Sequence, residues 1–148
     1  GTKPVTGVTY LNDLVQIVVS RAPDGDNGNE SFPRSVFDAL RDVSLDLINV
    51  FPDRVSFVIP ESNLTDAVPR LERLRLPMEV LDKKAKVTVV GYGMHNLPGV
   101  MDTVIGALTK EKIRVLASAD SNITIACLIE QGSLQAAVNA LHSAFRLS

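Results

Sequence analysis

Two short stretches carry residue types that could hold a small charged molecule. His95-Asn96-Leu97-Pro98-Gly99-Val100 is a turn running into a helix, and Ser118-Ala119-Asp120-Ser121 lies at the end of a facing strand. A carboxylate and an ammonium are the charged groups that such residues could hold. Backbone N–H groups at a strand-to-helix turn suit the carboxylate, because the first N–H groups of a helix lack internal partners and that end carries partial positive charge. Pro98 has no N–H to give, whereas Gly99 lets backbone come close to a ligand. The ammonium needs a carboxylate or carbonyl groups. Asp120 can supply one, as can Asp24 earlier in the chain. Ser118 and Ser121 can add hydroxyl contacts, and His95 is a further contact candidate. Taken alone, these residues do no more than start a helix and close a β-turn, so their meaning depends on the elements around them.

Those elements come in two passes. In the first, Pro4–Tyr10 and Leu14–Ser20 alternate as strands around a Leu11-Asn12-Asp13 turn, and the stretch from Arg21 to Ser31 is a loop. Phe32–Val43 has helical spacing, with Val36, Phe37 and Leu40 on one side. Leu45–Val50 and Arg54–Pro60 are strands joined by a tight turn. Ser62 or Asn63 can cap a helix reaching about Leu74, with Leu64, Val68 and Leu71 inward and Pro69 near its middle. Met78–Leu81 is a short strand. The second pass has strands at Ala85–Val90, Ile113–Ala117 and Asn122–Ile129. Its helices are Pro98–Glu111, with Val100, Val104 and Leu108 inward, and Leu134–Phe145, with Val138 and Leu141 inward.

The passes read as an internal repeat. At an offset of 68, Val36-Phe37 falls on Val104-Ile105, Leu45 on Ile113, Val55 on Ile123, Phe57 on Ile125 and Ile59 on Cys127. The final helices match at an offset two residues longer, Leu64, Val68 and Leu71 falling on Leu134, Val138 and Leu141. Each unit is strand–helix–strand–strand–helix, an α+β, ferredoxin-like βαββαβ pattern that needs one more strand. Met78–Leu81 completes the first unit, whereas Arg146-Leu147-Ser148 is too short to complete the second. The unassigned strand Pro4–Tyr10 can do so. That predicts a first domain over 14–83, and a discontinuous second domain over 1–13 plus 84–148, completed by the N-terminal strand.

Composition sets the outer bounds. The 148 residues are 45% hydrophobic with a formal net charge of −2, which suits one domain or two very small ones and argues against a chain built to hold nucleic acid or an anionic membrane. One cysteine, Cys127, excludes an intrachain disulfide and fits a reducing, cytoplasmic setting. No apolar run approaches a membrane span. The chain begins Gly1-Thr2-Lys3 without Met, as expected of a processed chain or a piece of something longer.

Taken together, Gly91-Tyr92-Gly93-Met94, Pro98-Gly99-Val100, Ser118-Ala119-Asp120-Ser121, Val138-Asn139-Ala140-Leu141-His142 and the opening Val5-Thr6-Gly7-Val8 resemble the C-terminal regulatory half of bacterial aspartokinases. The resemblance covers essentially the whole chain. It implies a tandem pair of ACT domains that binds a pathway end product (lysine, threonine or meso-diaminopimelate), dimerises through those domains and serves an aspartokinase catalytic domain or a separate catalytic subunit as its regulatory β subunit. Feedback inhibition, not catalysis, is the implied task, without cofactor or metal. The effector-contact candidates are His95, Asn96, Leu97, Pro98, Gly99, Val100, Ser118, Ala119, Asp120 and Ser121 in the second unit, and Asp24, Asn49 and Val50 in the first. One departure bears on the first unit. The family usually carries Pro-Asp-x-Pro-Gly before its helix, and here Pro23-Asp24 is followed by Gly25-Asp26-Asn27-Gly28. That puts an effector pocket in the first unit in doubt.

Other chemistries fit less well. Gly91-x-Gly93-x-x-Asn96 lacks the third glycine of a dinucleotide fingerprint. Asp24-x-Asp26-x-Gly28 lacks the later ligands of a calcium loop. His95 and His142 stand without partners at metal spacing, and no nucleophile–base pair is visible. Two alternatives remain: a structural dimerisation module of the same enzyme without an effector site, or an RNA-recognition-like binding module. The second needs aromatic residues on the central strands, which offer only Phe57. An acylphosphatase-like enzyme would need an Arg and Asn at a phosphate loop, and no such pair is seen.

Overall fold

The structure, a computed structural model, describes residues 5–23, 32–91 and 97–147. The elements are β1 (Val5–Ser20), α1 (Arg34–Ala39), β2 (Asp46–Val50), β3 (Arg54–Pro60), α2 (Leu64–Glu72), β4 (Met78–Gly91), α3 (Leu97–Lys110), β5 (Ala117–Asp120), β6 (Thr124–Glu130) and α4 (Leu134–Ala144). By its contacts the chain divides into two compact units, a first at Leu14–Asp82 and a second at Gly1–Asp13 with Lys83–Ser148.

In the first unit the hydrogen-bonded order is β2, β3, then the later part of β1 and the opening of β4. Val15, Ile17 and Val19 alternate inward on β1 and meet Val55, Phe57 and Ile59 of β3. Val36 and Leu40 of α1 and Ala67 and Leu71 of α2 close this core. Each of the fully buried Val, Leu, Ile and Phe side chains contributes about 1.5–3 kcal/mol through the apolar surface it removes from water. α1 is shorter than its periodicity suggests. Phe32 precedes a proline, which keeps it out of helical conformation, and the chain leaves the helix at Leu40. Arg70 of α2 donates to Asp42, to Asp66 (3.2 Å) and to the backbone oxygen of Ala39 (3.4 Å), so it holds the end of α1. Asn63 makes no side-chain capping bond: α2 is entered through the 3-10 turn Glu61–Asn63 instead.

In the second unit the order is the early part of β1, then β4, β6 and β5. Val5 of β1 joins Ala85, Val87 and Val89 of β4, Ile125, Cys127 and Ile129 of β6, Val100, Val104 and Leu108 of α3, and Ala137 and Leu141 of α4 in one core. Each unit is thus an antiparallel sheet with two helices on one face, the α+β, ferredoxin-like class that the pattern predicts.

Three expectations need correction. Leu11-Asn12-Asp13 is not a turn: β1 runs unbroken through it, and β4 likewise absorbs both Met78–Leu81 and Ala85–Val90. Asp13 and Lys83 each take a positive φ of 55°, so one residue re-aims the strand where a reversal was expected. Asp13 is held there by Gln131, whose amide oxygen accepts from its N–H (2.7 Å) and whose amide nitrogen donates to its carboxylate (3.2 Å). Second, Ile113–Ala117 is not a strand. α3 ends with Lys112 at φ 60° and Ile113 N–H donating to Leu108 O at 2.9 Å, a closure that turns Ile113 back onto the core, and β5 starts only at Ala117.

Third, the repeat is not gapless. Leu14 pairs with Pro60 and Lys84 with Glu130, so β1 and β3 map onto β4 and β6 at an offset of 70. The helices α1 and α3 keep the shorter offset, as Val36 and Leu40 bury like Val104 and Leu108. The second unit spends extra residues between α3 and β5. The first spends an extra residue inside β2, where Leu47 and Ile48 span the step from Asp46 opposite Val58 to Asn49 opposite Ser56. In β5, Ser118 alone spans the matching step. Leu47, with φ 47° and its N–H on the Asp46 carboxylate at 2.8 Å, is the bulged residue.

Candidate functional site

β4 ends at Gly91, and α3 begins at Leu97. β6 runs antiparallel to β4, with Val90 opposite Thr124, so its start lies at the same end. β5 runs antiparallel to β6, with Asp120 opposite Ile125, so its last residue comes to that end too. Topology alone therefore gathers Gly91, the first turn of α3, Asp120, Ser121 and Thr124 at one end of the second unit. The bond from Gly91 N–H to Ile123 O, 2.7 Å, ties the strand ends together.

Face follows from pairing. Ser118 and Asp120 sit opposite Cys127 and Ile125, both in the core beneath α3, so their side chains rise on the helix-bearing face. Ala119 sits opposite Ala126 on the other face. Ser118, Ala119, Asp120 and Ser121 are all solvent-exposed. Among the described residues the Asp120 carboxylate has neither ion pair nor hydrogen bond. Pro98 is exposed, Gly99 half-buried and Val100 buried as the core anchor of α3. Pro98 is tolerated in the first helical turn because its missing N–H would have no partner there. Thr103 Oγ1 donates to Gly99 O at 3.1 Å and stiffens that turn.

Ser121 is more committed than its sequence suggests. Its Oγ accepts from Ile123 N–H (3.2 Å) and Thr124 N–H (3.1 Å) and shares a 2.8 Å hydrogen bond with Thr124 Oγ1. It closes the β5–β6 turn and leaves little hydroxyl capacity for a ligand. Thr124 was not singled out by sequence reasoning, nor was Gly91 as a strand-end contact.

In the first unit Asn49 and Val50 occupy the places of Ala119 and Asp120, since they pair with Ser56 and Val55 as those pair with Ala126 and Ile125. His95, Asn96 and Asp24 lie outside the described residues, and of Leu97 only the backbone is described. Among the described residues no three His, Cys, Asp or Glu side chains gather as a metal site. No helix among them is long and apolar enough to cross a membrane. A separate groove of about 590 Å³ runs between α3 and α4, over Ala107, Ala136 and Ala140, and includes none of the candidate residues.

Comparison with known proteins bears on both units. A family profile described as ACT domain matches residues 87–145. Aspartokinase 1 of Bacillus subtilis is 31% identical over 146 residues, which are 97% of this chain and 35% of that protein. The chain spans about a third of the length of the curated relatives it matches. Among solved structures, the ligand-free regulatory subunit of aspartate kinase from Thermus thermophilus superposes with a TM-score of 0.85 at 26% identity, over 96% of this chain and 98% of that one. The Thermus flavus regulatory subunit gives 0.82 at 26% identity, over 97% and 99%. Likeness end to end with subunits that are themselves regulatory settles kinship: the chain belongs to the ACT-domain regulatory family of the aspartokinases, as the regulatory and not the catalytic part.

Proposed function

We propose that this chain binds an aspartate-pathway amino acid (lysine, threonine or meso-diaminopimelate) and relays its presence as allosteric feedback inhibition to an aspartate-phosphorylating catalytic domain or subunit. On this reading residues 14–83 are one ACT domain and residues 1–13 with 84–148 the other, and the chain works as a homodimer in the cytoplasm. The observation that carries the proposal is the convergence of the α3 start with Ser118 and Asp120 on one face and at one end of the second unit. Backbone N–H groups of Gly99 and its neighbours would take the effector carboxylate, and Asp120 its ammonium. His95 and Asn96 belong to the same turn by sequence. Asn49, Val50 and Asp24 are the first-unit counterparts.

A ligand that binds only the folded chain raises its melting temperature with concentration. Thermal unfolding with lysine, threonine, methionine and meso-diaminopimelate, singly and in pairs, should show saturable stabilisation by at least one. No response to any would leave the second reading, a dimerising module without an effector. That reading draws on the edge strand of the first unit, where Ile48, Val50 and Phe51 are solvent-exposed. The RNA-recognition reading finds no support, because Phe57 is fully buried and offers no stacking face.

A further inference from the structure

We infer that the C-terminal half of α3, with the groove it forms against α4, is a docking surface for an acidic helix of the catalytic part of the aspartokinase. This rests on the function proposed above, which requires contact with that part. It goes further by giving the contact a place and a chemistry.

The internal repeat shows how the fold closes this groove from within. Ala67 and Leu71 of α2 bury as Ala137 and Leu141 of α4 do, 70 residues on. The ends of α1 and α3 carry the same bond 68 residues apart: Val43 N–H donates to Leu40 O (2.9 Å) and Glu111 N–H to Leu108 O (3.1 Å). Those offsets put Arg70 in the place of Ala140, Asp42 in that of Lys110 and Asp66 in that of Ala136. In the first unit the Arg70 guanidinium spans the two helices, donating to Asp42, to Asp66 (3.2 Å) and to Ala39 O (3.4 Å). In the second unit Ala107, Ala136 and Ala140 line an open groove of about 590 Å³. Such short side chains let a third helix lie close between the two.

Charge says what kind of helix. Asp42 has its cation in Arg70, whereas among the described residues Lys110, Lys112 and Arg114 have no ion pair. All three are exposed, and Glu111 is the one acid among the described residues lining the groove. This end of the unit is therefore cationic in a chain whose formal net charge is −2. A partner carboxylate over Ala140 would stand to Lys110 as Arg70 stands to Asp42, with the signs exchanged. Lys110 and Lys112 also answer the partial negative charge of their own helix end. That explains neither Arg114, which lies beyond the helix, nor the alanine-lined groove. Apolar contact comes from the other flank of α3. There Ile105, Ile113 and Val115 line a second hollow of about 370 Å³ with Lys112 and Arg114, and Ile105 is 36% exposed. An apolar floor with a charged rim suits an amphipathic helix whose acids steer it into register.

The test uses the whole aspartokinase that carries this chain, fused or assembled from subunits, with the photo-cross-linker p-benzoylphenylalanine incorporated at Ala140. Mass spectrometry of the joined peptides should identify a helix of the catalytic part rich in Asp and Glu. A joint to a second copy of this chain, a joint to a segment without acidic residues, or no joint overturns the inference. Ala140→Glu supplies Lys110 with an acid of its own and fills the groove from within, as Arg70 does in the first unit. The effector concentration for half-inhibition should rise at least tenfold in Ala140→Glu. It should stay within about twofold of wild type in Lys110→Arg and in Thr65→Glu, which makes the same charge change on an exposed position of α2. No rise in Ala140→Glu, or an equal rise in Thr65→Glu, overturns the inference. Should Ala140→Glu fail to fold by circular dichroism, Lys110→Glu takes its place with the same expectation. A wild-type enzyme indifferent to lysine, threonine and meso-diaminopimelate sinks the proposed function, and the cross-link still decides the docking surface.

Discussion

Cys127 has no exposed surface and sits opposite Ser118 on the core face of β6. Burial pushes its thiol up to about 11, from 9.0. The raised value favours the neutral thiol in the folded chain, so nothing is lost below about pH 9. Between pH 9 and 11 the unfolded chain ionises first, and stability should fall by about 1–3 kcal/mol. Urea unfolding at pH 8 and pH 10.5 under reducing conditions should show that loss in wild type and a smaller one in Cys127→Ala. An equal loss in both would place the pH dependence elsewhere. The alternation of Cys127 with Ile125 makes its core position legible in sequence. The commitment of Ser121 to its own turn was not legible, because its partners, Ile123 N–H, Thr124 N–H and the Thr124 hydroxyl, are brought to it by the hairpin. Arg21 hid for a similar reason: a cation at the head of a Gly/Asn/Asp-rich loop reads as solvated, and only the fold brings Phe32 and Pro52 O to it.

The helices were the plainest elements to read. Val100, Val104 and Leu108 recur at helical spacing and all bury. The strands were read to the right face but in the wrong register. A two-residue error leaves every side chain on its own side of a sheet, so an apolar pattern cannot detect it. Hydrogen-bonded partners do, and they separate the offsets of 68 and 70. Polar runs such as Leu11-Asn12-Asp13 misled because one residue with positive φ can redirect a strand without ending it. The edges carry a prediction. β2 has an unpaired side among the described residues and exposes Ile48 (48%) and Val50 (55%), with the exposed Phe51 (40%) just after it, whereas β5 offers Ser118, Ala119 and Asp120. Apolar edges invite pairing with another chain. If the homodimer uses β2, light scattering should give a dimer for wild type and a monomer for Val50→Lys at the same concentration. A dimer that survives Val50→Lys and Ile48→Lys together would move the interface elsewhere.

For the whole molecule, regulation demands more than binding. An effector shifts an equilibrium only by the difference in its affinity for two arrangements, and a tenfold difference corresponds to about 1.4 kcal/mol. The repeat gives the chain two sensors' worth of fold, yet the two ends differ in chemistry. One carries Gly91, Ser121 and Asp120; the other carries Arg21, Phe51 and Val50 at the matching pairings, with Phe51 and Val50 solvent-exposed. The fold class could be read from spacing and residue type. The strand register could not, because it depends on pairings between strands far apart in sequence.

The most direct measurement is an amide NMR titration of the labelled chain with whichever of lysine, threonine or meso-diaminopimelate stabilises it. Saturable shifts are expected at Leu97, Gly99 and Val100 and at Ser118–Ser121, largely lost in Asp120→Ala. Saturable shifts that spare both stretches, or a spectrum indifferent to all three amino acids, would contradict the proposed function.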